Sequence, residues 1–352
     1  MKILKNYDLT KLNTFGIKAE AKFFVEINKE EELKELFNSS EFKNNEKLFL
    51  GGGSNILFTK DFDGIVVLNK LKGIEVVKED NEYVFVKSMG GELWHDLVVF
   101  SVLHGYSGIE NLSLIYGTVG AAPMQNIGAY GSEIKDVIES VEAYDITTGD
   151  PSTILGASKK IFKNEECGFG YRDSIFKKEL KGKYFISAVI LKLNKIHNLN
   201  ISYKALKDYF EKNNLEVKNV KDISDAVVNI RQSKLPNPKV LGNAGSFFKN
   251  VYVDTQKFEK LKSKYPDISF FKEDERIKIP AGWLIEQCGP ANSGTSWKGK
   301  RVGNVGVHDK QALVLVNYGG ATGKEILDLA NQIINSVFEK FGLKLESEVN
   351  IV

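Results

Sequence analysis

The sequence predicts a mixed α/β protein of two to three domains, and three observations support this class. The chain has 352 residues, more than twice the ~150 residues of an ordinary domain. Hydrophobic residues make up 42% and charged residues 27% of it, which excludes disordered, collagen-like and disulfide-scaffold proteins. Residues 1–70 alternate short apolar runs with one helical pattern, as a small α/β unit does.

The N-terminal half is predicted to form four strands and two helices before a glycine-rich stretch. The helix at 92–104 follows from an apolar stripe of Leu93, Trp94, Leu97, Val98 and Ser101. Residues 105–131 hold glycines too irregularly spaced for a helix and too dense for a plain strand, and such backbone suits close approach to a ligand. The other predicted elements are strands at 22–27, 48–50, 65–68 and 83–86 and a helix at 30–37.

The C-terminal half is predicted to contain three strands and the cleanest amphipathic helix of the chain. The strands are expected at 184–193, 312–316 and 348–352. The helix follows from a stripe of Ile326, Leu329, Ile333, Val337 and Phe341. No linker or fixed-period repeat marks a domain boundary.

Charge, cysteines and histidines exclude several kinds of partner. The balance of 48 Lys+Arg against 46 Asp+Glu, a net charge of +2, indicates neither a nucleic-acid nor a membrane partner. Cys167 and Cys288 are far apart, and the four histidines lack metal-ligand spacing, so neither disulfide nor metal is expected. The charged N-terminus and the absence of a ~20-residue apolar run predict a cytoplasmic protein.

Two glycine-rich segments are candidate ligand sites. Residues 51–55, Gly-Gly-Gly-Ser-Asn, follow an apolar strand and could form a nest of N–H groups around a phosphate, or a plain tight turn. They do not match a Rossmann fingerprint, and the sequence at Gly323-Lys324 lacks the first glycine of a Walker loop and reads as a helix start. Residues 117–131 combine small residues with Gln125 and Asn126, which favours a flat or phosphorylated ligand over a purely structural loop.

Three further positions offer polar chemistry, each beside a simpler interpretation. Arg172 lies on a predicted turn, where it could clamp a carboxylate or pair with Asp173. Ser246 lies between a glycine and two phenylalanines, either as an exposed site serine or as a turn serine. Glu346 and Glu348 share one side of a strand, for which solvent exposure is the ordinary expectation.

Taken together, these segments resemble the UDP-N-acetylenolpyruvoylglucosamine reductases of bacterial cell-wall synthesis. The resemblance covers nearly the whole chain. Motifs this numerous, in the same order, are specific for the family. They are LNTFGI at 12–17, GGGSN at 51–55, GIENL at 108–112, QNIGAYG at 125–131, FGYRDS at 169–174, GNAGSFFKN at 242–250, AGWLIEQ at 281–287 and LESEV at 345–349.

The resemblance implies a fold, a cofactor and a reaction. The fold would be α+β or α/β, with an FAD-binding module of the vanillyl-alcohol-oxidase type in two parts, 1–70 and 71–215 with the C-terminal strand segment 331–352, and a substrate domain at 216–330. A non-covalent FAD would take hydride from NADPH and pass it to UDP-N-acetylglucosamine enolpyruvate, giving UDP-N-acetylmuramate for peptidoglycan, cell shape and cell division. A monomer is expected.

The resemblance also assigns roles to residues. Arg172 and Glu348 would stabilise the enolate-like intermediate, and Ser246 would deliver a proton to it. Tyr203 would belong to a loop that covers the substrate, which places the chain in the branch that has this loop, and Lys234, Asn250 and Gln287 would hold the UDP-sugar. The cofactor-binding residues would be Gly51, Gly52, Gly53, Ser54, Asn55, Gly117, Thr118, Gly120, Ala121, Gln125, Asn126, Gly128, Ala129 and Tyr130.

The chain departs from the family pattern at two places, and two rival functions remain as alternatives. Tyr116 stands where the family usually has proline, and residues 150–163 read as a surface insertion. One rival is a flavin oxidase or dehydrogenase acting on another small alcohol or acid, against which Ser246 and the Lys234 segment argue. The other is a nucleotide-sugar binding module without catalysis, against which Arg172, Ser246 and Glu348 together argue.

Overall fold

The computed structural model describes residues 1–147, 158–196, 199–273, 275–290 and 294–352. Their α-helices are α1 (Glu32–Asn38), α2 (Ser40–Lys43), α3 (Trp94–Leu103), α4 (Lys204–Lys212), α5 (Val220–Lys234), α6 (Thr255–Lys264), α7 (Ala281–Glu286) and α8 (Gly323–Phe341). Their strands are β1 (Leu4–Asp8), β2 (Glu20–Ile27), β3 (Glu46–Leu50), β4 (Ile56–Leu57), β5 (Phe62–Asn69), β6 (Ile74–Glu79), β7 (Tyr83–Met89), β8 (Gly128–Ala129), β9 (Ser132–Glu133), β10 (Ile138–Asp145), β11 (Lys159–Lys163), β12 (Tyr184–Asn194), β13 (Gly242–Ser246), β14 (Val251–Val253), β15 (Phe271–Glu273), β16 (Arg276–Ile279), β17 (Arg301–Val302), β18 (Val305–Val307), β19 (Val314–Asn317) and β20 (Asn350–Ile351).

The chain forms two compact units. The N-terminal unit comprises residues 1–7, 20–53 and 62–233, and the C-terminal unit comprises residues 8–19, 54–61 and 234–352. These units differ from the predicted boundaries, because α5 lies almost entirely in the N-terminal unit and the segment 331–352 lies in the C-terminal one. The segment 331–352 belongs to the C-terminal unit because of its packing. Helix α8 lies against β18 and β19, and strand β20 pairs with β4. As a division into cofactor and substrate parts, the predicted boundaries stay a prediction.

The N-terminal unit contains one parallel and one antiparallel sheet. The parallel strands β2, β5 and β3 belong to a sheet of order β1-β2-β5-β3, in which Val25, Ile27, Ile65 and Val67 pack with Leu33 of α1. Burial of each such side chain stabilises the fold by ~1.5–3 kcal/mol. The antiparallel sheet has the order β11-β10-β12-β7-β6.

The edge strand β11 lies within the segment 150–163, which was predicted to be a surface insertion. Residues 148–157 lie outside the described residues. The remainder of the insertion supplies β11, which pairs with β10 and buries Phe162 in the core. That part of the segment is therefore a sheet strand, and its buried aromatic contributes to the core of the antiparallel sheet.

Two helices of the N-terminal unit position residues discussed below. In α3 the buried residues are Trp94, Leu97, Val98 and Ser101, as predicted, whereas Leu93 precedes the helix and is 49% exposed. The stripe prediction was wrong for Leu93 because a residue at the N-cap does not share the helical periodicity. Helices α4 and α5 form their own small core from Leu206, Phe210, Ile223, Ala226, Val227 and Ile230.

The C-terminal unit contains a four-stranded sheet of order β13-β19-β18-β17 and a three-stranded sheet of order β14-β16-β15. Helix α8 buries the predicted stripe from Ile326 to Phe341. Its start at Gly323 is fixed by a capping box between Thr322 and Glu325, so the Walker-like sequence is a helix N-terminus, as predicted. The last two strands are shorter than predicted, since β19 begins at Val314 and β20 covers two residues.

Two further observations concern the cysteines and the membrane. Both cysteines are free and buried, and burial raises the pKa of Cys167 to about 12 and that of Cys288 to about 11, so both thiols are unreactive. Within the described residues, none of the helices combines the length and hydropathy needed to cross a bilayer.

Candidate active site

In the N-terminal unit, the two glycine-rich segments lie back to back. A Cβ on Gly52 would approach Cα of Gly117 to 2.9 Å, and one on Gly51 would lie 2.2 Å from Oγ1 of Thr118. Only glycine permits backbones this close. The sequence motifs at 51–53 and 117–118 therefore form one structural feature, which we name the glycine cradle.

Several polar groups of Gly51, Gly52, Gly117 and Thr118 in the glycine cradle have no hydrogen-bond partner among the described residues. The Thr118 hydroxyl is buried and makes no hydrogen bond in the described part of the chain. The backbone N–H groups of Gly51, Gly52, Gly117 and Thr118 likewise donate no hydrogen bond to any described residue. Thr118 is buried, where polar groups are normally satisfied, and the amides of half-buried Gly51 and Gly117 and exposed Gly52 are open to a ligand, so this set of donors is suited to one bearing oxygen acceptors.

In the turn that follows, several polar groups are bonded within the fold. The N–H of Gly120 donates to the carbonyl of Gly90 at 2.9 Å, and that of Ala121 to the carbonyl of Thr118 at 3.1 Å. The side chain of Asn126 is fully buried and bonds Glu133, the Gly170 carbonyl and the Lys135 N–H. Gly120, Ala121 and Asn126 use these groups within the fold, and their contact with a cofactor stays a prediction.

Arg172 lies on a tight turn, as predicted. Residues Gly170 and Asp173 bond each other's backbones, and Arg172 between them adopts a left-handed φ of +54°. Its guanidinium donates to the carbonyl of Gly128 and lies 5.4 Å from the ring centre of Tyr171. Asp173 forms an ion pair with Lys178. The turn therefore fixes the arginine against the end of the glycine-rich stretch.

Tyr203 is brought to the same stretch. It occupies the N-cap position of α4 and is 42% exposed. Its ring meets that of Tyr130 edge-on, with ring centres 5.5 Å apart. Both tyrosines thus form an aromatic corner at the end of the segment 117–130, and Tyr203 is not buried in its own helix.

In the C-terminal unit, Ser246 lies at a bulge in β13. The register against β19 shifts between Asn243 and Ser246, and Gly245 adopts a φ of +69° with no atom near its missing Cβ. The Asn243 side chain accepts a hydrogen bond from the Gly245 N–H at 2.9 Å and so fixes the bulge. Bulges re-aim side chains, and here the hydroxyl is presented half-exposed between buried Ala244 and Phe247.

The segment that carries Glu348 runs beside Ser246. The N–H of Glu348 donates to the carbonyl of Phe247 at 2.8 Å, and Phe248 forms a bridge with Ser347. Glu348 is half-buried whereas Glu346 is exposed, so the two carboxylates do not share one environment. The C-terminal unit therefore brings two predicted catalytic residues onto adjacent extended segments.

Asn55 has a structural role that sequence reasoning missed. Its side chain donates to the Glu348 carbonyl at 3.4 Å. Its backbone carbonyl accepts two hydrogen bonds from Asn350, one from the side-chain amide at 3.0 Å and one from the backbone N–H at 3.1 Å. Ser54 and Asn55 belong to the C-terminal unit, unlike Gly51–Gly53. The predicted five-residue nest is thus divided, and its second part anchors the segment of Glu348.

The predicted sugar-binding residues lie around α7 and the end of α5. The Asn250 side chain accepts the N–H of Ala281, the first residue of α7, at 3.0 Å. Gln287 follows the other end of α7 and is exposed. Lys234 is the last residue of α5 and is exposed. Asn250 and Gln287 are thus fixed relative to each other by one short helix.

Two residues near the glycine-rich stretch were missed by sequence reasoning. Arg231 donates from Nε to the carbonyl of Leu114 at 3.2 Å, and Nδ1 of His95 accepts the N–H of Leu114 at 3.0 Å. Burial lowers the pKa of both Arg231 and His95, and burial raises the pKa of Tyr130, which interacts electrostatically with Arg231. The one signal in the sequence was the spacing of Arg231 and Lys234, which are three residues apart and therefore lie on one face of α5.

Known proteins are similar to this chain in both fold and sequence. Residues 237–352 match the model of the UDP-N-acetylenolpyruvoylglucosamine reductase C-terminal domain, and residues 21–154 match that of an FAD binding domain. A solved structure of UDP-N-acetylenolpyruvylglucosamine reductase from Thermus caldophilus has a TM-score of 0.62 at 23% identity and covers 99% of this chain and 98% of its own. That likeness shows the fold, and with the domain match it confirms the predicted mixed α/β class with an FAD-binding domain.

Closer relatives establish the family. Two relatives named UDP-N-acetylenolpyruvoylglucosamine reductase are each 49% identical to this chain. The alignment covers 354 residues for the protein from Flavobacterium johnsoniae and 353 for that from Amoebophilus asiaticus, which is 100% of this chain and of each relative. The relative of that name from Bdellovibrio bacteriovorus is 44% identical over 99% of both chains. The chain therefore belongs to the UDP-N-acetylenolpyruvoylglucosamine reductase family.

Proposed function

We propose that the chain reduces UDP-N-acetylglucosamine enolpyruvate to UDP-N-acetylmuramate at the expense of NADPH, with Arg172, Ser246 and Glu348 as its catalytic residues. Family membership makes it an FAD-dependent oxidoreductase of peptidoglycan precursor synthesis. The observation that carries the residue assignment is the β13 bulge, which presents Ser246 beside the segment of Glu348. A turn serine without function would need no such bulge.

The glycine cradle fits a non-covalent FAD. The free N–H groups of Gly51, Gly52, Gly117 and Thr118, with the unpartnered Thr118 hydroxyl, would donate to diphosphate oxygens. The close approach of Gly51 to Thr118 leaves no room for a side chain there, which keeps these donors exposed to a ligand. Bound FAD supplies the hydride that the substrate accepts.

Arg172 would bind the carboxylate of the enolpyruvyl group. Hydride addition at the terminal carbon places negative charge on that carboxylate, and a preorganised cation stabilises it. The guanidinium is held by the Gly128 carbonyl and the strained turn, so little reorganisation is needed at the moment of reaction. Its planar fork suits two carboxylate oxygens.

Ser246 would protonate the adjacent carbon, with Glu348 beside it. The hydroxyl hydrogen passes to the carbanionic carbon, and the serine is restored by a proton from solvent. A serine is a weak acid, but the carbon is a strong base, and general acid catalysis of this kind contributes ~10²–10⁴-fold. Glu348 would hold the geometry of the intermediate from the neighbouring segment.

Substrate binding and the setting follow from the same assignment. Tyr203, Lys234, Asn250 and Gln287 would hold the UDP-sugar, and NADPH would enter as a co-substrate without a dinucleotide domain of its own. We further propose a cytoplasmic monomer that engages neither nucleic acid nor membrane, in keeping with the net charge of +2.

The test separates the two halves of the reaction by anaerobic stopped-flow absorption. In the unaltered protein, NADPH should bleach the flavin spectrum and the enolpyruvyl nucleotide should restore it. In Ser246→Ala, bleaching should proceed at a near-normal rate while restoration slows ~10²-fold or more. Ser233→Ala is the matched control, because its hydroxyl only donates to the Ile230 carbonyl at 2.8 Å.

Two outcomes would reject the proposal. A purified protein that neither carries nor takes up FAD would reject the flavin assignment. Equal slowing of both halves in Ser246→Ala would assign Ser246 to the fold and not to proton transfer.

A further inference from the structure

Arg231 connects the two ends of the glycine-rich stretch. It lies in the last turn of α5, and its Nε donates to the Leu114 carbonyl at 3.2 Å. The same guanidinium also interacts electrostatically with the Tyr130 hydroxyl. Leu114 precedes the glycine cradle residues 117–118 and Tyr130 ends the stretch that follows them, so one side chain bridges both ends.

The two bridged residues share an unfavourable backbone conformation. Leu114 has a φ of +57° and Tyr130 a φ of +49°, a region that side chains other than glycine rarely adopt. Such residues persist where surrounding contacts over-determine them. For Leu114 these contacts are Arg231 on its carbonyl and His95 on its N–H, and for Tyr130 they are Arg231 on its hydroxyl and Asn111 on its carbonyl at 2.9 Å.

The helix that carries Arg231 is itself tied to this segment. The hydroxyls of Ser113 and Ser224 are 2.8 Å apart, which joins the residue before Leu114 to α5. On the other side, the Trp94 N–H of α3 donates to the Gly117 carbonyl at 3.0 Å. The segment 113–117 therefore runs between two helices, and Arg231 is the contact that also reaches Tyr130.

A guanidinium suits this bridge better than another cation. It carries five N–H donors in a rigid plane, so it can serve a carbonyl and a hydroxyl in different directions at once. Lysine offers a single point charge on a flexible stem. Among the described residues, Arg231 forms no ion pair with a carboxylate, and its electrostatic neighbours are Tyr130, Tyr116 and Arg172.

We propose that Arg231 is a positioning residue for FAD, which holds Leu114 and Tyr130 so that the amides of the glycine cradle keep the geometry that binds the cofactor. This role rests on the proposed function of the cradle. It acts through backbone placement, so it predicts an effect on cofactor retention that does not depend on turnover.

The test measures release of FAD from purified holoenzymes after dilution, followed by the fluorescence of the freed flavin. Arg231→Gln should release FAD at least 10-fold faster than the unaltered protein, and Arg231→Lys should recover little of this loss. Arg301→Gln is the matched control, because Arg301 also donates from Nε to a carbonyl, that of Gly303 at 2.9 Å, but lies at an exposed position of the C-terminal unit. Its release rate should be unchanged.

A second variant keeps the test valid if Arg231→Gln folds poorly. Tyr130→Phe removes only one arm of the bridge and should speed release by a smaller factor, about threefold. In the double variant the two effects should not add, because both remove the same bridge. Additive effects would overturn the proposal.

Other outcomes distinguish this role from neighbouring ones. In one such outcome, Arg231→Gln leaves the rate of FAD release unchanged and alters only the KM of the enolpyruvyl substrate, and Arg231→Lys restores that KM fully. Arg231 would then supply a charge for the substrate carboxylate, and the positioning role would be overturned. Failure of the unaltered protein to hold FAD would reject the proposed function itself and this role with it.

Discussion

At the scale of single residues, strained backbone gathers around the candidate cofactor and substrate groups. Six non-glycine residues with positive φ are found among the described residues, and Leu114, Asn126, Tyr130 and Arg172 belong to the N-terminal unit's glycine-rich stretch or the turn bonded to it. Such conformations cost ~1–3 kcal/mol each and collect at functional sites. The sequence signalled the turn at 170–174, but nothing in it indicated that Arg172 itself would be left-handed.

The strained turn makes Arg172 testable by a conservative change. Arg172→Lys retains the positive charge but loses the planar fork that suits a carboxylate, so kcat/KM should fall by ~10²-fold or more. Steady-state kinetics with the enolpyruvyl nucleotide measures this. Arg276→Lys is a matched control, since Arg276 also lies over a tyrosine ring, that of Tyr252 at 4.9 Å, but on an exposed strand. Near-normal turnover of Arg172→Lys would limit the arginine to holding the Gly128 carbonyl.

At the scale of elements, the sequence predicted seven of the 20 described strands and three of the eight described α-helices, chiefly the longer ones, and it did not predict their exact ends. Strands β2, β5 and β12 and helices α3 and α8 follow from apolar periodicity, because burial of one face dictates it. The bulge in β13 follows instead from a register shift against β19 and from the Asn243 side chain, which are long-range contacts. Periodicity cannot report such contacts, so the sequence indicated Ser246 as a candidate without the device that presents it.

Tyr203 is the N-cap of helix α4 and Tyr209 lies within it, and these two tyrosines allow a controlled test of the lid hypothesis. Tyr203 is exposed beside Tyr130, whereas the hydroxyl of Tyr209 accepts a hydrogen bond from Asn229 at 3.0 Å on α5. Tyr203→Phe should raise the KM for the UDP-sugar by ~3–10-fold, equivalent to one hydrogen bond of ~0.5–1.5 kcal/mol, with kcat changed less. Tyr209→Phe should instead lower the melting temperature and leave KM unchanged.

The rate of flavin reduction by NADPH can contradict the lid hypothesis for Tyr203. A lid that contacts only the sugar diphosphate should leave the reduction rate of Tyr203→Phe near normal. Slowing of reduction to the same degree as the loss of substrate binding would mean that Tyr203 shapes a pocket used by both ligands.

At the scale of the whole molecule, the predicted three-part division and the two compact units agree only in part. The first two predicted parts share the N-terminal unit, because a parallel and an antiparallel sheet pack through shared residues such as Tyr144 and Phe185. The segments 8–19 and 54–61 join residues from 234 onward through contacts such as the Thr14 hydroxyl on the Asn243 carbonyl at 2.6 Å. Sequence order alone could not reveal these exchanges, since each depends on a partner more than 200 positions away.

Hydrogen exchange can test whether the cofactor acts on the glycine cradle and the UDP-sugar on the predicted residues around α7. FAD should slow exchange at Gly51, Gly52, Gly117 and Thr118 by at least ~10-fold, because their amides have no described partner in the protein and would gain one. Gly120 and Ala121 are internal controls in the same segment, since their amides already bond the Gly90 and Thr118 carbonyls and should change little. UDP-N-acetylmuramate, the reaction product, should instead slow exchange around Asn250 and Gln287 in the C-terminal unit. Exchange that slows uniformly through 117–121 on FAD binding would mean that the cofactor orders the whole loop, and the prebuilt cradle would then be the wrong description of how this protein holds its flavin.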